Sequence, residues 1–142
     1  CMKDEAAIKA LFDIINLQIA PLFIQKEAAR ALNWSKSFIA LDCLKYCLYS
    51  SDITLTQEII CVLGRQESIE LKSYATKILI DFLNSDREIV RQSCIKQKIA
   101  TSLGDNQDLS ALIHLEKLAN NDDSKVKLYA KAAIKKITQS QN

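Results

Sequence analysis

The 142-residue sequence is 49% apolar and 25% charged, with 19 basic against 17 acidic side chains, a balance that suits one folded domain and excludes a disordered tail or a fibre. Two glycines and one proline are too few turn residues for a sandwich or barrel of short strands. No apolar run approaches the roughly 20 residues that a membrane-spanning helix needs, and the run from Ile19 to Ile24 is broken by Pro21.

Apolar periodicity and punctuation predict eight helical segments: 4–18, 22–33, 36–50, 54–64, 69–84, 86–103, 107–120 and 124–138. The class is therefore all-α. Pro21 opens the second segment, and Thr54 with Gln57 and Ser85 with Glu88 have capping-box spacing. Asn33, Gly64 and Gly104 stand where a left-handed residue ends a helix. The short connections predict antiparallel neighbours.

Cys1 precedes Met2 and is assigned no role; Met2 reads as the native start. No charged n-region leads into an apolar core with a small-residue cleavage site, so the cytoplasm is the expected compartment. The five cysteines include no CxxC pair and no dense disulfide spacing, which fits reduced thiols.

Superposing the even-numbered segments exposes an internal repeat. Each carries an apolar residue, another four on, a small or β-branched one three later, and an apolar one next. The copies are Ile24/Ala28/Ala31/Leu32, Leu55/Ile59/Val62/Leu63, Ile95/Ile99/Ser102/Leu103 and Val126/Ala130/Ala133/Ile134. The odd-numbered segments end in a leucine and a polar turn, as in Leu48 to Asp52, Leu83 to Asp86 and Leu118 to Asp122. The unit is a helical hairpin, which cannot bury its apolar face alone, so copies must stack into a solenoid. The hairpins expected are 4–33, 36–64, 69–103 and 107–138 in a single domain, with a polar tail at 139–142. One place past the template stand Ala29, Ile60 and Ala100, but Lys131 in the last copy. A polar outer face is what a terminal repeat needs, so the native C-terminus is expected near Asn142.

Glu27-Ala28-Ala29-Arg30-Ala31-Leu32, Val62-Leu63-Gly64, Ser102-Leu103-Gly104-Asp105 with Leu112-Ile113, and Val126-Lys127 through Ile137 resemble HEAT-like repeats over nearly the whole chain. The likeness is to the short bacterial variety, in which Val-Arg opens the second helix and Leu-Gly closes it, a type also found in phycobilin lyases. The Val-Arg slot holds Ile24-Gln25, Leu55-Thr56, Ile95-Lys96 and Val126-Lys127. The literal pair Val90-Arg91 lies out of register, as if the sixth helix were a turn longer.

Catalytic and metal chemistry require converging groups, and the supply is thin. His114 is the single histidine, and no HExxH or paired-histidine spacing surrounds it. Cys43 and Cys47 share a helical face, which could bind metal, but buried filler is the stronger reading for them and for Cys61. Two isolated glycines make no phosphate loop. No catalytic, cofactor or metal residue is therefore nominated.

Trp34 reads first as a plug between the first two hairpins and second as an interface anchor. Residues 1–71 hold 7 basic and 9 acidic side chains, and residues 72–142 hold 12 and 8. The basic residues of the sixth and eighth segments read as a solvated cap before a functional patch, because no aromatic residues interleave to stack bases.

These readings lead to an expectation of a non-catalytic protein-protein interaction module, a scaffold or adaptor with no cofactor. Its partner would be a protein with an acidic surface. The HEAT resemblance implies that second helices line the concave face, which nominates Arg30, Arg65, Arg91, Lys96 and Lys98, with Trp34 as aromatic anchor. A phycobilin lyase-like or phycobilisome-associated role is the alternative that the resemblance implies. Nucleic-acid binding through the basic half is a further alternative, and no membrane partner is expected.

Overall fold

Local signals build eight α-helices among the described residues: α1 (Met2–Asn16), α2 (Leu22–Leu32), α3 (Phe38–Ser50), α4 (Ile53–Leu63), α5 (Ile69–Leu83), α6 (Ser93–Asn106), α7 (Leu112–Ala119) and α8 (Ser124–Ser140). The computed structural model describes residues 2–18, 20–50 and 52–141, with side chains from Asp4 onward. Cys1, Ile19, Ser51 and the final tail residue Asn142 lie outside the described residues. The expected tail at 139–142 is helical as far as Ser140.

Caps account for several boundaries. Pro21 precedes α2, and its carbonyl accepts from the Ile24 and Gln25 amides at 3.0 and 3.1 Å. Asp52 caps α4 by accepting from the Leu55 amide at 3.0 Å, in place of the Thr54 box. Ser85 does not cap a helix: its hydroxyl donates to the Phe82 carbonyl at 2.7 Å. The expected helix over 86–103 is two elements, a 3-10 turn at Glu88–Arg91 and then α6, separated by Gln92 in extended backbone. The Val90-Arg91 pair is out of register for that reason, and Arg91 is not on α6. A second 3-10 turn, Leu109–Ala111, precedes α7.

Consecutive helices pair as hairpins, and α2, α4, α6 and α8 pack in that order as one layer, with α1, α3 and α5 as the other. The four quartets supply the shared core: every member is buried except Ile24, Ala31 and Ile134, which are half-buried. Burying one such Leu or Ile contributes about 1.5–3 kcal/mol. Ala29, Ile60 and Ala100 are fully buried, while Lys131 is exposed.

The two layers are held at different spacings. Between second helices the backbones approach closely, because a Cβ built on Gly64 would lie 2.7 Å from Ser102 Cβ, and one on Gly104 would lie 2.9 Å from Ala133 Cβ. This corrects the left-handed expectation: Gly64 has φ −83°, and Gly104 lies inside α6. Among the described residues the left-handed positions are instead Gln18, Lys36 and Gln107. The Leu-Gly pairs therefore exist for want of a Cβ, not for freedom at φ. The Ser102 hydroxyl donates to the Ile60 carbonyl at 2.8 Å, and Asn106 Nδ2 donates to the Leu63 carbonyl at 3.1 Å, which adds polar ties from α6 to α4.

First helices are instead spaced by edge-to-face aromatic pairs. Phe12–Tyr46 joins α1 to α3 with ring centroids 5.6 Å apart, and Phe38–Tyr74 and Tyr49–Phe82 join α3 to α5 at 5.2 and 5.1 Å. Wide spacers on one layer and absent side chains on the other wedge the stack, with the second helices as its tighter layer.

Candidate functional site

Two of the nominated residues meet at the edge where α2 hands over to α3 and α4 to α5. After Leu32 the chain makes a 3-10 turn, Asn33–Ser35, and Lys36 reverses it at φ 49°. That geometry throws Trp34 outward, 81% exposed. It does not plug the hairpin junction, because the turn carries its ring away from the core. The facing wall is the loop from Arg65 to Ser68 and the first turn of α5, and the cleft between them has a volume of about 270 Å³.

Amide pairing makes the walls rigid. Gln66 is buried and donates from Nε2 to Asn33 Oδ1 at 2.7 Å and to the Val62 carbonyl at 3.1 Å. Asn33 Nδ2 in turn donates to the Arg65 carbonyl at 3.3 Å. Lys36 Nζ lies 2.9 Å from Glu67 Oε2, and its hydrogen bond holds the Glu67 carboxyl below its ordinary range. Ser68 caps α5, accepting from the Leu71 amide at 3.2 Å. The Arg65 side chain is exposed and makes no ion pair among the described residues. The cleft thus offers an aromatic face and an unspent guanidinium on a preformed frame.

The sequence nominates Trp34 and, through the HEAT resemblance, Arg65, but it does not nominate Asn33, Lys36, Gln66 or Glu67. Their role depends on pairing across 31 to 33 residues, which no local pattern encodes. The other nominations fall elsewhere. Arg30 Nε binds Glu58 Oε1 at 2.6 Å and its guanidinium also contacts Glu27, so its charge is spent tying α2 to α4; the Glu58 hydrogen bond raises its pKa. Arg91 is exposed on its 3-10 turn, Lys96 is half-buried and Lys98 is exposed on α6; none of these lines the cleft.

His114 is half-buried, with Nδ1 3.4 Å from Asn84 Nδ2. Cys47 is fully buried, and Cys43, Cys61 and Cys94 are half-buried free thiols. Cys61 is thus less enclosed than the core position expected of it. Among the described residues no three His, Cys, Asp or Glu side chains gather as metal ligands. No helix among them is long and apolar enough to cross a membrane.

No family model and no curated protein matches the chain. Among solved structures it is similar to human deoxyhypusine hydroxylase in complex with glycerol, with 17% sequence identity and a TM-score of 0.84. The match covers 99% of this chain and 46% of that one, so this chain spans about half the length of the structure it resembles. The likeness corrects the functional expectation. A non-catalytic scaffold or adaptor was inferred from fold, and the same fold here belongs to an enzyme, so that inference is withdrawn. What the likeness establishes is architecture: the chain is an all-α, HEAT-like helical repeat.

Proposed function

We propose that this chain recognises an acidic polypeptide segment in the Trp34–Arg65 cleft, as the client-binding part of a HEAT-like enzyme. The observation that carries this is the pairing of an 81% exposed tryptophan with an unpaired arginine across a preformed cleft. Tryptophan and arginine dominate binding energy where they occur at interfaces. The Asn33–Gln66 and Lys36–Glu67 ties reduce the ordering needed on binding. A carboxylate reaching Arg65 gains a charge-assisted, two-pronged hydrogen bond.

The enzymatic setting is supported by the hydroxylase likeness, since that protein, by its name, acts on deoxyhypusine and has about twice this length. The proposal concerns what is bound and assigns no reaction to these residues. Membership of the short HEAT variety is part of the same reading, supported by Leu63-Gly64 and Leu103-Gly104 at the close helix contacts. So is a cytoplasmic setting, supported by the Cys43, Cys61 and Cys94 thiols, which stand outside any disulfide.

Trp34 is the single tryptophan, so its fluorescence reports the cleft directly. Titration with a panel of capped peptides carrying Asp or Glu beside apolar residues is expected to shift that emission. Arg65→Glu should weaken the best binder at least tenfold, and Lys98→Glu should leave it unchanged. If no acidic peptide moves the emission, or Arg65→Glu binds like the native chain, the proposal fails.

A further inference from the structure

We infer that a groove between α5 and α7, on the layer of first helices, is a second binding site, one that accepts an aromatic side chain of a polypeptide segment. It does not rest on the Trp34–Arg65 reading. The buried positions of the first helices, counting the 3-10 turn that leads into α7, align as Ala40/Leu44/Cys47, Ala75/Leu79/Phe82 and Ala111/Leu115/Leu118. The steps are 35 residues from Ala40 to Ala75 and 36 from Ala75 to Ala111.

That register says what each helix-helix step should contain. The α3–α5 step is spaced by Phe38–Tyr74 and Tyr49–Phe82. At the α5–α7 step the same places hold Ser73 and Ser110, and Asn84 and Leu118. Both aromatic pairs are missing there, and α7 makes little contact with α5. The result is an open groove of about 430 Å³ whose lining includes Phe38, Tyr74 and Ile80 on one side and Ser110 and His114 on the other.

The groove continues an interface that the fold already builds from rings. An incoming phenyl or phenol group would occupy the space between Ser73 and Ser110 with the Tyr74 ring beside it, as Phe38 already is on the other step. Edge-to-face contact favours a ring over an aliphatic chain of similar area. Glu70 and Lys77 also line the groove and supply polar atoms for the amides of a bound segment, which favours a peptide over a free aromatic molecule.

The test is an NMR titration of the full chain with a capped seven-residue peptide bearing a central phenylalanine, its leucine counterpart and N-acetyl-phenylalanine amide. The phenylalanine peptide is expected to shift the signals of Tyr74, Ser110 and His114, binding at least tenfold more tightly than either other probe. Ser73→Phe with Ser110→Tyr restores the missing pair, and should raise the melting temperature and abolish the response. Ser110→Phe alone serves the same purpose if the double variant does not fold. Arg65→Glu should leave the response intact, which separates this site from the other cleft. Equal binding of the phenylalanine and leucine peptides overturns the inference. So does a response centred away from α5 and α7, or one that survives the filled groove. Tight binding of the free amide alone would overturn the peptide assignment.

Discussion

Cys47 is 0% exposed on α3, and burial, with a smaller contribution from the nearby Cys43 thiol, pushes its thiol up to about 12. The folded chain therefore keeps this proton where the unfolded chain, with a thiol near its ordinary value, has lost it. The associated stability is complete below about pH 8.5 and is lost as pH rises through about 12, at no more than about 1.4 kcal/mol per pH unit. Urea midpoints are expected to fall between about pH 8 and about pH 10.5, and to fall less in Cys47→Ala when each chain is compared with itself. Equal falls in both chains would show that Cys47 is not the group responsible. The contrast between Cys47 and Trp34 shows what single residues reveal in sequence. A small thiol among leucines at helical spacing reads correctly as core, whereas an aromatic residue next to a helix end is inward or outward according to the turn that follows it.

Helix-helix approach explains the glycines, and here two effects oppose each other. Replacing a glycine inside a helix, as Gly104 is in α6, by alanine gains up to about 1 kcal/mol of propensity, and less at Gly64, which caps α4. At Gly64, however, the new Cβ would lie 2.7 Å from Ser102 Cβ and 2.9 Å from Ser102 Cα, a backbone atom that cannot rotate away. Gly104 faces Ala133 Cβ at 2.9 Å and Cα at 3.0 Å in the same manner. Overpacking of this kind costs about 1–3 kcal/mol, so the clash wins. Gly64→Ala and Gly104→Ala should each lower the stability measured by urea unfolding, with α4 or α6 displaced. A neutral or stabilising outcome would show that the layer yields freely. The eight helices were legible because apolar period and polar turns are local signals. The break at Gln92 was not, since Ile89 and Val90 continue a helical pattern and nothing nearby marks the extended residue between the 3-10 turn and α6.

For the stack as a whole, stability should be graded along the array, because each hairpin leans mainly on its neighbours. The helices α4 and α6 have packed helices on both sides and bury whole quartets. In contrast, α1 buries Ile8 and Ile15 among its described side chains, and α7 is eight residues long. Native-state hydrogen exchange is expected to be slowest in α4 and α6 and fastest in α1 and α7. Uniform protection would mean that the chain opens as one unit.

Helical class, hairpin period and the buried quartets could all be read along the chain, since each is a matter of which residues recur at three- and four-residue spacing. Partnerships across the stack could not. That Arg30 is consumed by Glu58, that Gly64 answers to Ser102, and that Asn33 is held by Gln66 are contacts between residues about 30 to 40 apart. Such contacts arise only when successive hairpins are brought into register, and spacing within one helix carries no record of them.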